Sequence, residues 1–387
     1  MYHLETTAGL LTAALKTLKP VVEPRVTIPI LGAVLFDGAR AMATNLDITI
    51  SAGFAAIKAE GKACVSYAFL ERVVRLIDKN AEIAVDVGND GAATLSFPGG
   101  RYRLPAFDAR DFPDLEMSGD VSRIGNVTDK LRDALAFTAP SISTEETRYY
   151  LNGVFFDGSE GKFGIVATDG HRLSCFPLDF DATALAGIIL PRQTVNVLLK
   201  LPTPKAIIVT KDQKKVEFQL DGVTVRTKTI DGTFPDWRRI VPKRAEAKQA
   251  ATFNRQALES ATKRVMMASN ERGRSIEFAI GEAVATVGTK NLDASGVEYI
   301  DGVDLSAPTA GGDIAFNAAY VLTALDQLKR SERVTMWMDD AGSPATFTGN
   351  AAEAKEFIIL MPMRSSGDGF ARQELARFSA PALKAAA

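Results

Sequence analysis

The sequence predicts an α+β fold of three similar domains, each with two helices and about eight strands in antiparallel sheets. Two observations lead to this prediction. The first is an internal repeat with a period near 120 residues, and the second is the regular succession of helical and strand patterns within each copy. A period of this length is too long for a solenoid unit and suits a whole domain that is used three times.

The repeat is clearest in two nine-residue runs, ILGAVLFDG at 30–38 and YLNGVFFDG at 150–158, which are offset by 120 residues. The match continues downstream, where MATNLDITIS at 42–51 aligns with VATDGHRLS at 166–174. A fainter third copy, RSIEFAIGEAVATVGTKN, occupies 274–291. The polar segments between the copies predict domains at 1–120, 126–244 and 250–364, followed by a C-terminal extension at 365–387.

Each copy begins with a helical pattern and contains a second one further along. In the first copy, Leu11 and Leu18 recur at helical spacing before Pro20, which predicts a helix that ends near the proline. Thr128 and Asn254 are the predicted N-caps of the corresponding helices in the later copies. The second helices are predicted at 66–79, 191–201 and 317–329.

The helix predicted at 66–79 has an apolar face that should be buried. This face consists of Phe69, Leu70, Val73, Val74 and Ile77. Short runs with strand character lie between the helices and are separated by turn sequences. These runs are 81–87, 93–97, 206–210, 216–220, 223–229 and 334–338.

Composition predicts a globular protein in the cytoplasm. The 387 residues are 46% hydrophobic and 24% charged, which is enough apolar material for several cores. The chain has no run of eighteen apolar residues, so no membrane partner is expected, and its first residues lack the pattern of a signal peptide. Cys64 and Cys175 lie in apolar runs and are predicted to be buried thiols.

The motif search predicts a protein that is not an enzyme and that needs no metal or cofactor. The sequence contains no phosphate-binding loop, dinucleotide fingerprint, paired-cysteine metal motif or nucleophile elbow. One alternative stays open at this point: a monomeric enzyme in which Asp169 orients His171, with Ser174 or Cys175 as the nucleophile. A motif this short often occurs by accident.

Most of the predicted helices carry lysine or arginine beside their apolar face. On a single helix such a stripe is usually the solvated side. Three similar domains with their helices on one surface would add these charges together, although the net charge of the chain is only −2. That surface could hold the phosphate backbone of DNA without reading its bases. The residues predicted to face DNA are Lys16, Lys19, Arg72, Arg75, Lys79, Lys130, Arg192, Lys200, Arg255 and Lys263.

Four motifs in this order resemble the bacterial β sliding clamps, the β subunits of DNA polymerase III. They are TRYYLNG at 147–153, ATDGHRL at 167–173, FPDWRR at 234–239 and MPMR at 361–364. The resemblance implies a head-to-tail homodimer that forms a six-domain ring around double-stranded DNA, with helices lining the hole. It also implies that the ring binds the polymerase III alpha subunit, the clamp loader and other proteins with a clamp-binding motif, and so gives processivity in DNA replication.

The resemblance further implies a partner-peptide pocket between the second and third predicted domains. Leucine, isoleucine and methionine would form an adaptable apolar socket there. The matching pocket positions are Leu151, Thr168, Gly170, His171, Arg172, Leu173, Pro235, Arg239, Ile240, Ile359, Met361 and Pro362. Positions along the adjoining groove are Arg148, Tyr150, Asn317, Tyr320, Met363 and Arg364. By the same resemblance, Arg25 matches a DNA-contacting arginine in a loop.

Two features depart from the family pattern. Members usually end one residue after the MPMR motif, whereas this chain continues through 365–387. This tail contains Gln373, Leu375 and Phe378, which loosely resemble the partner motif. One hypothesis is that the tail folds over the pocket and competes with polymerase, and the alternative is a disordered or weakly helical extension. The other departure is Asn45, where an acidic residue is commoner, and it leaves open an accessory clamp paralogue.

Overall fold

The computed structural model describes residues 1–23, 27–88, 91–244, 247, 249–269, 273–305, 313–350, 354–364 and 369–378. The contacts within the chain define two compact units. Unit 1 comprises Met1–Arg132 and Asp179–Asp231, and unit 2 comprises Asp133–Leu178 and Gly232–Ala387. The units divide the central predicted repeat, because some of its strands belong to the sheet of unit 1 and others to the sheet of unit 2.

The described residues contain seven α-helices, two in each predicted repeat and one in the tail. They are α1 (Ala8–Leu18), α2 (Tyr67–Val74), α3 (Lys130–Thr138), α4 (Arg192–Leu198), α5 (Arg255–Met267), α6 (Ala318–Gln327) and α7 (Phe370–Phe378). Asn254 caps α5 as predicted, since its side-chain oxygen accepts a hydrogen bond from the backbone N–H of Ala257 at 3.0 Å. Thr128 accepts from the N–H of Lys130 at 3.3 Å, at the start of α3.

The described strands also average eight per predicted repeat. The first twelve are β1 (Tyr2–Thr7), β2 (Ala33–Asp37), β3 (Arg40–Thr44), β4 (Ile48–Gly53), β5 (Lys58–Ser66), β6 (Glu82–Val87), β7 (Ala92–Phe97), β8 (Gly100–Phe107), β9 (Val121–Ile124), β10 (Gly153–Asp157), β11 (Gly164–Thr168) and β12 (Arg172–Pro177). The others are β13 (Ile189–Pro191), β14 (Ala206–Thr210), β15 (Lys215–Gln219), β16 (Val223–Lys228), β17 (Gln249–Asn254), β18 (Ser275–Ile280), β19 (Val284–Lys290), β20 (Ser295–Leu305), β21 (Asp313–Asn317), β22 (Arg333–Met338), β23 (Ala345–Thr348) and β24 (Phe357–Leu360).

Each unit is built on one long antiparallel sheet. In unit 1 the strand order is β1-β6-β7-β8-β5-β2-β3-β4-β16-β15-β14-β9, and β1 also pairs with β5. In unit 2 the order is β10-β11-β12-β24-β23-β22-β17-β20-β19-β18-β21. A strand of one repeat therefore pairs with a strand of the next repeat inside each sheet. The predicted α+β class with antiparallel sheets is confirmed.

Strand residues alternate between the two faces of a sheet, and in unit 2 the apolar residues on one face pack against α5 and α6. In unit 2, Ile276, Phe278 and Ile280 of β18 join a buried cluster with Leu258 of α5 and Leu325 of α6. The residues between them point to the opposite face. This alternation places the core on the helical side of the sheet.

The second helices are shorter than predicted, and of the five residues predicted on the buried face of the first of them, Phe69 is exposed and Val73 and Ile77 are only partly buried. After α2 the hydrogen bonds span three residues, as in a 3-10 turn. The N–H of Leu76 bonds to Val73 O and the N–H of Ile77 bonds to Val74 O, both at 3.1 Å. Leu70 and Val74 are fully buried, but Phe69 is 50% exposed. The buried stripe of this helix is therefore narrower than the apolar pattern of the sequence.

Both cysteines are free and buried, as predicted. Burial raises the pKa of the Cys64 thiol and of the Cys175 thiol to about 12. These side chains are therefore neutral packing groups at physiological pH.

Within the part of the chain that the structure describes, no helix is long and apolar enough to cross a membrane.

Candidate functional site

The turn between β11 and β12 is the structural centre of the predicted pocket in unit 2. The Oδ1 atom of Asp169 accepts hydrogen bonds from the N–H of His171 at 2.9 Å and from the N–H of Arg172 at 3.0 Å. The hydroxyl of Thr168 donates to the carbonyl of Arg172 at 2.7 Å and accepts from the N–H of Gly170 at 3.1 Å. These bonds fix the backbone of the turn and leave the His171 side chain exposed.

The same turn occurs in the other two repeats. Asn45 Oδ1 accepts from the N–H of Asp47 at 3.2 Å and of Ile48 at 2.8 Å. Asn291 Oδ1 accepts from the N–H of Asp293 and of Ala294, both at 2.8 Å. An aspartate or asparagine at this position satisfies two backbone donors in each repeat. The role of Asp169 is therefore to build the turn.

An apolar patch of the pocket begins directly after this turn. Leu173 of β12 lies opposite Ile359 of β24 in the antiparallel register, and both side chains are at most 1% exposed. Ile358 and Leu360 belong to the helical core, so Ile359 and its partner Leu173 point to the other face of the sheet. Leu151, which precedes β10, is 4% exposed. These three residues, all predicted for the apolar part of the pocket, are therefore buried.

Aromatic and charged side chains form a polar edge beside the apolar patch. The ring of His171 stacks on Tyr320 with centroids 6.0 Å apart, and the guanidinium of Arg172 lies 4.7 Å from the same ring. Arg172 Nε also donates to Asp169 Oδ2 at 2.9 Å, and both of these side chains are 15% exposed. Burial, together with the Asp169 carboxylate, raises the pKa of Tyr320. The predicted pocket residues from the ATDGHRL motif and from α6 are thus in contact.

Gly170 and Arg148 are close neighbours at the mouth of the groove. Gly170 has a φ of +89°, and a Cβ atom at this position would lie 2.6 Å from Arg148 Nη1. Glu145 holds the arginine through two contacts, at 2.7 Å to Nη2 and 2.8 Å to Nε. The hydrogen bond from Arg148 lowers the pKa of Glu145. The absence of a side chain at position 170 leaves room for the guanidinium.

The other end of the groove follows the segment after β24. Met361 N–H donates to His171 O at 2.9 Å, and Met363 N–H donates to Ala315 O at 2.7 Å. Asn317 caps α6 by accepting from the N–H of Ala319 at 2.9 Å. A cavity of about 600 Å³ opens beside this segment, and its lining includes Pro362, Met363 and Arg364.

The FPDWRR segment supplies the exposed part of the predicted pocket. Ile240 is 40% exposed, and Pro235 is also exposed. The Arg239 side chain is 82% exposed and lies 3.8 Å from Asp236. Tyr150 is half-buried, and its ring lies edge-on to that of Tyr149 with centroids 5.8 Å apart. These residues are accessible to a partner.

Sequence reasoning missed Glu145, which positions Arg148. Its spacing of three residues before Arg148 is a detectable signal, because oppositely charged residues at this distance can meet across one turn of chain. It also missed the Ala315 carbonyl, which anchors Met363. A backbone group leaves no mark in a sequence motif, so only the fold reveals this contact.

The basic residues predicted on the helices of unit 1 are all exposed. They are Lys16, Lys19, Arg72, Arg75, Lys79, Lys130, Arg192 and Lys200. Arg25 lies outside the described residues. In unit 2 the pattern differs, because Glu259 contacts both Arg255 and Lys263 at 2.6 Å. The Lys263 side chain is 59% exposed, but Arg255 is only 11% exposed. Arg255 therefore departs from the predicted solvent-facing role.

Among the described residues, no group of three or more histidine, cysteine, aspartate or glutamate side chains is placed to hold a metal ion. The Asp-Gly-His-Arg segment forms a turn, and the apolar patch beside it is suited to an extended apolar peptide. This arrangement defines a candidate peptide-binding surface on a sheet of repeated α+β domains.

Comparisons with known proteins give the family. The profile of the DNA polymerase III beta subunit central domain matches residues 127–236, and that of its C-terminal domain matches residues 238–364. The chain is 32% identical over 368 residues to a beta sliding clamp from Caulobacter vibrioides, covering 92% of this chain and 97% of that protein. It is 28% identical over 363 residues to the beta sliding clamp of Escherichia coli K12, covering 90% and 97% respectively.

Solved structures agree with the sequence comparisons. A sliding clamp from Bartonella birtlesii, determined bound to griselimycin, has a TM-score of 0.85 at 30% identity and covers 94% of this chain and 100% of its own. A sliding clamp from Caulobacter crescentus has a TM-score of 0.83 at 30% identity, with coverage of 94% and 99%. The chain belongs to the family of bacterial β sliding clamps, the β subunits of DNA polymerase III. These clamps are processivity factors and not enzymes, so the enzyme alternative is wrong.

Proposed function

We propose that two copies of this chain close around double-stranded DNA and tether partner proteins through the pocket in unit 2. The partners are the DNA polymerase III alpha subunit, the clamp loader and other proteins that carry a clamp-binding motif. The ring holds DNA by enclosing it, so the binding is independent of base sequence. Because the proposed ring encloses DNA, we propose that the protein is located in the bacterial cytoplasm.

The observation that carries this proposal is a pairing rule between repeats. In unit 1, β4 of the first repeat pairs with β16 of the second, with Ile50 opposite Val225. In unit 2, β12 of the second repeat pairs with β24 of the third, with Leu173 opposite Ile359. In each case the strand that follows the Asn/Asp turn pairs with the last strand of the next repeat. The rule joins consecutive repeats through continuous sheets.

Among the described strands, the rule leaves part of one strand edge in the third repeat and part of one in the first without a second strand neighbour. In the third repeat the corresponding strand is β20, whose residues 295–301 pair with β19 alone among the described strands. In the first repeat the last strand is β8, whose residues 100–105 pair with β7 alone among them. Pairing β20 of one copy with β8 of another would repeat the rule. Two copies would form this contact twice, once at each end of the chain pair. Two such contacts close a ring.

The charges on these two strand edges are complementary. Arg101 on β8 is exposed. On β20, Asp301 is exposed, whereas Glu298 is half-buried and is already ion-paired with Arg264 of α5 at 2.7 Å. Opposite charges across paired strands favour the correct partner and register. These edges therefore favour contact between unlike ends of two copies.

The exposed lysines and arginines of α1 to α4 are the proposed DNA-facing residues of unit 1, and Lys263 is proposed for unit 2. Their contacts would be with phosphates, because these helices have no feature of a groove-reading motif. We propose Arg25 for the same role from the family resemblance. The domain boundaries at 1–120, 126–244 and 250–364 are proposed on the same three-repeat scheme.

Retention on DNA tests enclosure directly. The protein is loaded onto nicked circular duplex DNA by a clamp loader, and the complex is then washed in high salt before and after the circle is cut. An enclosing ring stays on the intact circle and leaves once the DNA is linear. A protein held only by phosphate contacts is lost from both forms in high salt, and this result would contradict the proposal.

A further inference from the structure

The C-terminal helix α7 lies beyond the family match, which ends at residue 364. The sequence hypothesis places Gln373, Leu375 and Phe378 over the peptide pocket. In the structure, Leu375 is only 5% exposed and joins a buried cluster with Ala279 of β18. The helix thus packs on the face of the third-repeat sheet that is opposite to α5.

The start of α7 is held by two buried polar side chains of the sheet. The N–H of Ala371 donates to Glu277 Oε2 at 3.2 Å, and the Thr286 hydroxyl donates to Ala371 O at 2.8 Å. Glu277 is 5% exposed and Thr286 is fully buried. A carboxylate at a helix N-terminus satisfies a free N–H and interacts favourably with the helix dipole.

Arg372 ties the first turn of α7 to two further strands. Its Nε atom donates to Asp313 Oδ1 at 2.8 Å, and its Nη1 atom donates to the carbonyl of Ile280 at 3.1 Å. The contacts join the helix to β21 and to the end of β18. They fix the direction in which the helix crosses the sheet.

The sheet surface below α7 is shaped to receive the helix. A Cβ atom on Gly281 would lie 3.2 Å from Leu375 Cδ2, and one on Gly288 would lie 3.3 Å from the ring of Phe370. Both positions are therefore close-packed against helix side chains. This complementarity indicates a specific docked position for the tail.

The end of α7 rests on β20. The ring of Phe378 stacks on Tyr299 of β20, with centroids 4.3 Å apart and an angle of 22° between the rings. Tyr299 lies within the part of β20 that pairs with β19 alone among the described strands. Its neighbour Ile300 points the other way, into the helical core. The helix thus contacts this strand at Tyr299, which stays 37% exposed, while Ile300 is buried on the other face.

We propose that α7 is a brace for the ring-closing strand, so that the tail strengthens the contact between two copies of this chain. This inference rests on the proposed closure of β20 against β8 of a second copy. A strand that is anchored by Ile300 in the core and by the Tyr299–Phe378 stack loses less freedom when a second copy pairs with it. The tail acts on ring closure and leaves the peptide pocket alone.

The test compares the full chain with a chain that ends at Arg364 and with the variant Phe378→Ala. Dimer dissociation constants are measured by sedimentation at several concentrations, and binding of a fluorescent clamp-motif peptide is measured in parallel. We expect dimerisation to weaken about tenfold in both altered chains, whereas peptide affinity stays the same. Ala376→Ser, on the exposed side of α7, is the matched control and should dimerise normally.

Each other outcome has a distinct meaning. Unchanged dimerisation of both altered chains overturns the brace while closure through β20 stands. Tighter peptide binding by the chain that ends at Arg364 overturns it in favour of a tail that competes for the pocket. A full-length chain that stays monomeric at every concentration overturns the closure itself. Circular dichroism of Phe378→Ala shows whether the single substitution leaves the fold intact.

Discussion

The strands β12 and β20 occupy the same place in successive repeats but have different surroundings. β12 is paired on both sides within unit 2, between β11 and β24. The first seven residues of β20, 295–301, pair with β19 alone among the described strands, and α7 contacts one face of this strand. One repeated element therefore serves as a joint inside the chain in one case and as a proposed joint between chains in the other. The repeated sequence forms the same strand in both cases, and the strands and helices beside it determine whether it pairs within the chain or, as proposed, with a second copy.

The largest expected contrast comes from removing one side chain on each strand. Leu173→Ala on β12 should lower the free energy of unfolding by about 2–5 kcal/mol, because it leaves a cavity at a buried position of the sheet. It should also weaken peptide binding. Tyr299→Ala on β20 removes a stacked ring pair at a partly exposed site and should cost about 1 kcal/mol. Denaturant unfolding of both variants measures the difference, and equal losses would contradict the contrast.

The turn that leads into β12 gives the next largest effect. Gly170→Ala places a Cβ atom in a left-handed conformation and against Arg148, which should cost about 1–2 kcal/mol of unfolding free energy. It should also weaken peptide binding, since the arginine must move. Leu46 occupies the equivalent position in the first repeat at a φ of 76°. Leu46→Gly removes that strain and should leave stability unchanged or higher, and a loss as large as that of Gly170→Ala would contradict the argument.

A smaller effect is expected for Asp169, where two substitutions distinguish a structural role in the turn from a catalytic role. Asp169→Asn keeps the side-chain oxygen that Asn45 and Asn291 use in the sister turns but loses the charge that pairs with Arg172, so it should cost about 1 kcal/mol. Asp169→Ala removes the acceptor for two backbone N–H groups and should cost about 1–3 kcal/mol. Chemical denaturation orders the two variants. Clamp-dependent DNA synthesis should survive Asp169→Asn, and its complete loss would contradict a purely structural role.

The smallest effect is a shift in the titration of one tyrosine. Burial, the charge of Glu374 and its hydrogen bond raise the pKa of Tyr299, so docking of the tail stabilises the protonated phenol. This stabilisation is fully present below the ordinary tyrosine pKa of 10.0 and is lost as pH rises through the raised value. Ending the chain at Arg364 should return the Tyr299 pKa toward 10.0, as measured by ultraviolet titration. The raised pKa of Tyr320 should not change, because α6 and Asp169 remain in place.

Much of the fold can be predicted from the sequence, because periodic apolar residues and turn residues act locally. The strand predicted at 206–210 is observed with those bounds, and Asn254 caps α5 as its position indicates. The errors arise where contacts with residues elsewhere in the fold determine how exposed a side chain is. Phe69 fits the apolar stripe of α2 but is half exposed, and Arg255 is held by Glu259 and shielded from solvent.

The candidate site shows the same division. The motifs at 147–153, 167–173 and 361–364 are predicted from the family resemblance, and the structure places them in contact in unit 2 through Arg148 beside Gly170 and through Met361 bonded to His171. Glu145, which anchors Arg148, and the Ala315 carbonyl, which anchors Met363, are not predicted. Both act through contacts, and the carbonyl has no residue-type signal at all.

By itself, the sequence predicted the antiparallel α+β class and most of the helices and strands, because these depend on patterns along the chain, whereas the pocket residues were predicted only through the family resemblance. Only the tertiary structure decided that β12 is paired on both sides, that residues 295–301 of β20 pair with β19 alone among the described strands, and that α7 contacts β20. The physical reason is that a strand edge and a sheet face are completed by residues far away in sequence. Their partners are therefore determined by packing, hydrogen bonding and burial in three dimensions.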